Sequence, residues 1–193
     1  MEALAQAGLI GDAITSYKIS RLTDNKNDGE ITFGGLDASK FDAQTLVTFN
    51  NVATNGFWEG SMDSVTVDGT DTGLTGRSAI LDTGTTLIYG DSATVKGIYD
   101  KIPGAQDASS TAGQGLFTIP CDSVPDGITV TIEGKDFPIS KDSFSLGPVS
   151  DGSKDCVGGL VADDSMGFWI LGDVFLRNVY TCMCSYSKFY PNS

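Results

Sequence analysis

Glycine occurs 24 times among 193 residues and is spread from end to end, between runs rich in Val, Ile, Thr and Phe. At that density glycines interrupt every apolar segment after a few residues. The β-branched and aromatic residues between them suit pleated strands. The pattern predicts an all-β fold with many tight turns and one or two short helices. The length allows one good core or two small ones, and neither a long linker nor a tandem repeat is visible. Residues 1–193 therefore read as one domain. Strands are expected at 16–20, 30–35, 45–49, 57–61, 63–67, 78–81, 117–119, 128–132, 135–139, 144–146, 169–171 and 179–183, and a loop over 105–115. A short helix is expected over 1–11. The clearest helix spans 91–101, where Asp91 stands at the N-cap and Val95, Ile98, Tyr99 and Ile102 form an apolar stripe.

Composition removes several kinds of function. Acidic residues outnumber basic ones 25 to 12, for a formal charge of −13. Nucleic acid and anionic lipid need clustered Lys and Arg, so neither is expected as a partner. Acidity of this degree serves solubility, or adaptation to acid. The chain has no His. That excludes a Ser-His-Asp triad, a Cys-His dyad and any His-ligated metal within it, and no metal or cofactor is expected. No run of 18 apolar residues offers a membrane span, and Met1-Glu2-Ala3-Leu4 does not open a signal peptide. The turn over 24–29 faintly resembles a calcium loop, but Lys26 and Gly35 fall where two ligands belong.

One segment carries chemistry. Ser78-Ala79-Ile80-Leu81-Asp82-Thr83-Gly84-Thr85-Thr86-Leu87-Ile88 runs from an apolar strand into Asp-Thr-Gly-Thr-Thr and back into apolar residues. Such flanks place a carboxylate on a tight loop at a strand end, partly out of water, where its proton affinity depends on its neighbours. Gly84 permits a turn that a Cβ would obstruct, and Thr83 and Thr85 supply hydroxyls able to hold the loop and the carboxylate. The plain alternative is a turn Asp capping its own loop. Asp71-Thr72-Gly73, a second copy set among turn formers, reads that way, as a hairpin tip.

The 80–86 segment resembles the second aspartate motif of pepsin-like aspartic peptidases of fungal type. Phe33-Gly34-Gly35-Leu36-Asp37, Gly56-Phe57-Trp58-Glu59-Gly60-Ser61-Met62-Asp63 and Trp169-Ile170-Leu171-Gly172-Asp173-Val174-Phe175-Leu176-Arg177 match the same lobe in order and spacing. The resemblance covers nearly the whole chain. It implies the C-terminal lobe of a bilobal enzyme, with residues 1–15 as a candidate interlobe segment.

In that family two aspartates, one from each lobe, share a proton and activate a water that attacks a peptide bond. Here Asp82 would be one of them. Thr83, Gly84, Thr85, Thr86 and Gly172 would support its loop. Gly84, Thr85, Phe57, Ile80 and Ile170 would meet the peptide substrate; for Ile80, core packing is the competing role. Cys121 and Cys156 sit where the lobe carries a disulfide, which implies a secretory or vacuolar setting.

The first aspartate motif and the flap are missing from this sequence, so the resemblance implies an N-terminal lobe supplied by another chain or by a missing segment. A homodimer sharing two copies of Asp82 ranks lower, because there is no flap. After Thr181 the sequence departs from the family and its closing apolar strand is expected to be degraded. Cys182 and Cys184 then read as free thiols or an intermolecular bond. An inactive homologue acting as a secreted binding protein is the main alternative; a carbohydrate-binding β-sandwich leaves the aspartate loop unexplained.

Overall fold

The computed structural model describes residues 1–184. They fall into two compact units, one of Met1–Asn50 with the chain from Val179 onward, the other of Asn51–Asn178. The fold is all-β with few short helices. In chain order the helices are α1 (Glu2–Gln6), α2 (Ser92–Tyr99), α3 (Lys141–Phe144) and α4 (Asp173–Leu176). The strands are β1 (Ile14–Lys18), β2 (Glu30–Phe33), β3 (Glu59–Val67), β4 (Thr70–Asp71) and β5 (Arg77–Leu81). They continue with β6 (Ile88–Gly90), β7 (Gln106–Asp107), β8 (Phe117–Pro120), β9 (Ile128–Ile132) and β10 (Lys135–Ile139). The last are β11 (Ser145–Pro148), β12 (Asp155–Gly158), β13 (Leu160–Ala162), β14 (Trp169–Leu171) and β15 (Tyr180–Cys184).

In the first unit β1 lies between β2 and β15, antiparallel to both. The helix expected across 1–11 ends at Gln6, because Gly8 takes a left-handed conformation at φ 68°. Its N–H reaches the Ala5 carbonyl and that of Leu9 the Leu4 carbonyl, each at 3.0 Å, a Schellman closure. Strand β1 lies two residues earlier than expected, and its Ser16 is fully buried with its hydroxyl on the Gly35 carbonyl. Asp28, in the turn compared with a calcium loop, pairs with Lys18 at 2.7 Å. No strand forms at 45–49. Instead Asp42 accepts from the Gln44 N–H at 2.9 Å and caps a 3-10 turn over Ala43–Thr45. A side chain bonding its own backbone there outcompetes the extended form. The chain remains regular strand to Cys184; the rest of the expected departure, residues 185–193, lies outside the described residues.

The second unit holds two sheets. The larger runs β10-β9-β3-β5-β14-β6-β13, with β4 beside β3; the smaller runs β11-β12-β8-β7. The two strands expected at 57–61 and 63–67 are the single nine-residue β3, irregular against β9 between Met62 and Ser64. Asp68 and Gly69, both at positive φ, form the β3–β4 turn, and Asp71 stands just past that tip with its carboxylate on the Gly73 N–H. Helix α2 buries Val95, Ile98 and Tyr99, and Ile102 follows at 3% exposure, so the stripe faces the core as expected. Tyr99 stacks on Phe117 at 4.3 Å, donates to the Leu160 carbonyl and accepts the Leu160 N–H. Burial pushes its phenol pKa up.

Strands β4, β6, β7, β12 and β13 and helices α3 and α4 are not among the expected elements, and α3 occupies the start of the segment read as strand 144–146. Cys121 and Cys156 form the expected disulfide, with Cα atoms 5.0 Å apart at the ends of the paired strands β8 and β12.

Candidate active site

Strand order explains the loop at Asp82. Strands β5 and β6 are consecutive, yet β14 lies between them, parallel to β5 and antiparallel to β6. The connection over 82–87 must therefore arch across the C-terminal end of β14. It closes against what lies beneath: the Asp82 N–H donates to the Leu171 carbonyl at 3.2 Å, and the Leu81 N–H to the Trp58 carbonyl at 2.9 Å. Parallel register sets Ile80 opposite Ile170 and Leu81 opposite Leu171. Asp82 thus stands beside the 170–172 strand end, half-buried rather than directed into open solvent.

Both oxygens of Asp82 are held. The Gly84 N–H donates to Oδ1 at 2.9 Å and the Thr85 hydroxyl to Oδ2 at 2.6 Å. The Thr85 N–H also reaches the Asp82 carbonyl at 3.3 Å, closing the turn. Gly84 is needed for crowding rather than for an unusual torsion, since a Cβ there would stand 3.2 Å from Asp82 Oδ1. Thr83 is half-buried; Gly84 and Thr86 are exposed.

Gly172 lies directly under the arch. A Cβ on it would fall 2.2 Å from the Thr85 carbonyl oxygen and 2.4 Å from that of Leu87. Beyond it α4 begins, and its first N–H groups have no intrahelical partners. The loop supplies them: the Asp173 N–H donates to the Thr85 carbonyl at 2.8 Å and the Val174 N–H to the Thr86 carbonyl at 3.0 Å. The aspartate loop and the start of α4 therefore hold one another. At the far end of α4 the Asn178 amide donates to the Val174 and Phe175 carbonyls.

Two carboxylates do more than the sequence showed, where Asp91 read only as a helix cap and Asp173 only as part of the 169–177 motif. Asp173, at the foot of α4, has Oδ1 buried without a hydrogen bond and Oδ2 3.6 Å from the Arg177 guanidinium. Burial raises its pKa first; Arg177 draws it back in part, and the neighbouring Asp82 charge pushes it up further. Asp91 is a hub. It caps α2 through the Thr94 N–H at 3.1 Å and accepts from the Trp169 indole and the Arg77 side chain, each at 3.2 Å. Burial alone would raise its pKa, but the hydrogen bonds from Thr94, Trp169 and Arg77 outweigh this and hold it low. The GD that follows the apolar triplet could have pointed to Asp173; nothing local pointed to the link between Asp91 and Trp169.

The residues read as meeting substrate are placed unequally. Phe57 is 47% exposed, its ring 6.1 Å from that of Phe168. Ile170 is half-buried. Ile80 is only 6% exposed and belongs to the core.

Comparison with known proteins agrees with this architecture. The family profile described as eukaryotic aspartyl protease matches residues 1–186, and the chain belongs to that family. It is 35% identical over 182 residues to an aspartic protease of Phaffia rhodozyma, covering 93% of this chain and 43% of that protein. It is 33% identical to a probable aspartic-type endopeptidase CTSD of Arthroderma benhamiae, covering 94% and 34%. Cathepsin D of Dictyostelium discoideum is 32% identical over 181 residues, covering 90% and 45%. The chain thus spans less than half the length of these relatives.

Proposed function

We propose that the chain is the Asp82-bearing lobe of an aspartic endopeptidase that hydrolyses peptide bonds in acid, together with a second aspartate from a partner lobe. The observation that carries this reading is the Asp82 carboxyl group, fixed through both oxygens at a strand end and backed by Leu171 and Gly172. A carboxylate oriented by two donors keeps lone pairs free for a water. Two such groups set close together cannot both ionise cheaply, so one takes the water's proton while the other polarises the carbonyl. No covalent intermediate is needed, which suits a chain without His.

Gly84, which is exposed, and Thr85 beside it are proposed to bond the substrate backbone. Phe57 and Ile170 would line subsites, with Ile80 behind them. The second lobe would lie against the first unit, where Ile31 and Phe33 stand exposed two residues apart on β2. The disulfide supports a secreted or vacuolar setting.

The test is cleavage of denatured casein near pH 3–5 by the protein isolated from its source. The reading expects activity that Asp82→Asn abolishes and Asp71→Asn leaves intact. Activity surviving Asp82→Asn refutes it, and a wild type without activity favours the inactive homologue.

A further inference from the structure

Two cysteines take no part in the disulfide or in the aspartate site. Cys182 and Cys184 occupy alternate positions of β15, opposite Ser16 and Ile14 of β1. Their side chains leave the strand on the same face. Cys182 is half-buried and Cys184 exposed, both as free thiols. Among the described residues β15 is an edge strand of its sheet, so the pair is not enclosed between two neighbours.

Geometry separates this pair from the bonded one. Cys121, just past the end of β8, and Cys156 of the neighbouring strand β12 have Cα atoms 5.0 Å apart. Two residues along one strand stand about 6.6–6.8 Å apart with parallel Cα–Cβ bonds, at the upper limit for a disulfide. An atom inserted between the sulfurs fits that spacing better. Two metal–sulfur bonds of about 2.3 Å hold the sulfurs as much as ~4.6 Å apart, against about 2.05 Å in a disulfide.

The number of donors selects the ion. The chain has no His, and among the described residues no group of three or more His, Cys, Asp or Glu could hold a metal. Four-coordinate zinc is therefore unsuited, whereas soft thiolates favour Cu(I), whose filled shell accepts two ligands in line. We propose that Cys182 and Cys184 form a two-coordinate thiolate site for a soft monovalent cation, Cu(I). On binding, two S–H protons pass to solvent and two S–Cu bonds form; no electron moves.

The experiment is an anaerobic titration of the chain with Cu(I) against a chromophoric Cu(I) chelator, on wild type and on Cys182→Ser and Cys184→Ser. The expected result is one ion per chain, held at least tenfold more tightly than by either variant. A second readout needs no variant: Cu(I) should protect both cysteines of the wild type from iodoacetamide, located by peptide mass spectrometry. Equal retention by all three proteins, unprotected thiols in the Cu(I)-loaded chain, or a dimer linked through these cysteines in place of metal uptake would each overturn the assignment.

Discussion

Gly172→Ala tests the arch most severely. The torsions at Gly172, φ −84° and ψ −160°, suit any residue, so the whole effect is steric. The new methyl group would lie 2.2 and 2.4 Å from two backbone oxygens, and neither is the end of a flexible side chain. The loop must lift, which strains the bonds from Asp173 and Val174 to the Thr85 and Thr86 carbonyls. Overpacking costs about 1–3 kcal/mol and each hydrogen bond about 1 kcal/mol net, so a loss of about 3 kcal/mol is expected.

The control is Gly97→Ala in α2, where a Cβ meets nothing within 4 Å. Relief of helix-interior glycine should there add about 0.5–1 kcal/mol. Both tryptophans, Trp58 and Trp169, belong to the Asn51–Asn178 unit, so their fluorescence in urea reports on it. With a slope of about 2 kcal/mol/M, the Gly172→Ala midpoint should fall by about 1.5 M while that of Gly97→Ala rises. A Gly172→Ala midpoint within about 0.3 M of wild type refutes the packing argument.

Asp173→Asn should gain stability relative to wild type as pH rises from about 3 to 6 in urea unfolding. The raised carboxyl of Asp173 contributes stability below its ordinary pKa of 3.8 and loses it as pH climbs through the folded value. Asp91→Ala should cost about 1–2 kcal/mol at pH 7, through the lost cap and the indole partner. That cost should shrink in acid, because the lowered Asp91 contributes stability above pH 3.8 that fades as pH falls through the folded value. Replacing both Cys121 and Cys156 by Ser opens a loop of sequence separation 35 and should cost about 4 kcal/mol in the chain-entropy treatment, read as a lower urea midpoint.

Much of this was legible in the sequence because its causes are local. The α2 stripe repeats at helical spacing, and β5 and β14 are apolar runs whose ends are marked by Asp82 and Gly172. What escaped depends on partners distant in sequence. Strands β12 and β13 are four and three residues long, broken by Gly158 and Gly159, and exist because β8 and β6 pair with them. A Cβ at Gly158 would meet the Tyr99 hydroxyl at 2.2 Å, a constraint invisible without the fold. Helix α4 is one turn, too short for a periodic pattern, and takes its first partners from the aspartate loop. The false strand at 45–49 failed for the opposite reason: a local cap at Asp42 holds its start in a 3-10 turn over Ala43–Thr45.

The role of Asp82 is open to a direct binding measurement. A peptide carrying a tetrahedral hydroxyl in place of the scissile carbonyl should bind the assembled protein in acid by calorimetry. Losing a hydrogen bond to a charged group, about 1.5–3 kcal/mol, should weaken that binding about 10- to 100-fold in Asp82→Asn and leave Asp71→Asn unchanged. Equal affinity in wild type and Asp82→Asn would contradict the account.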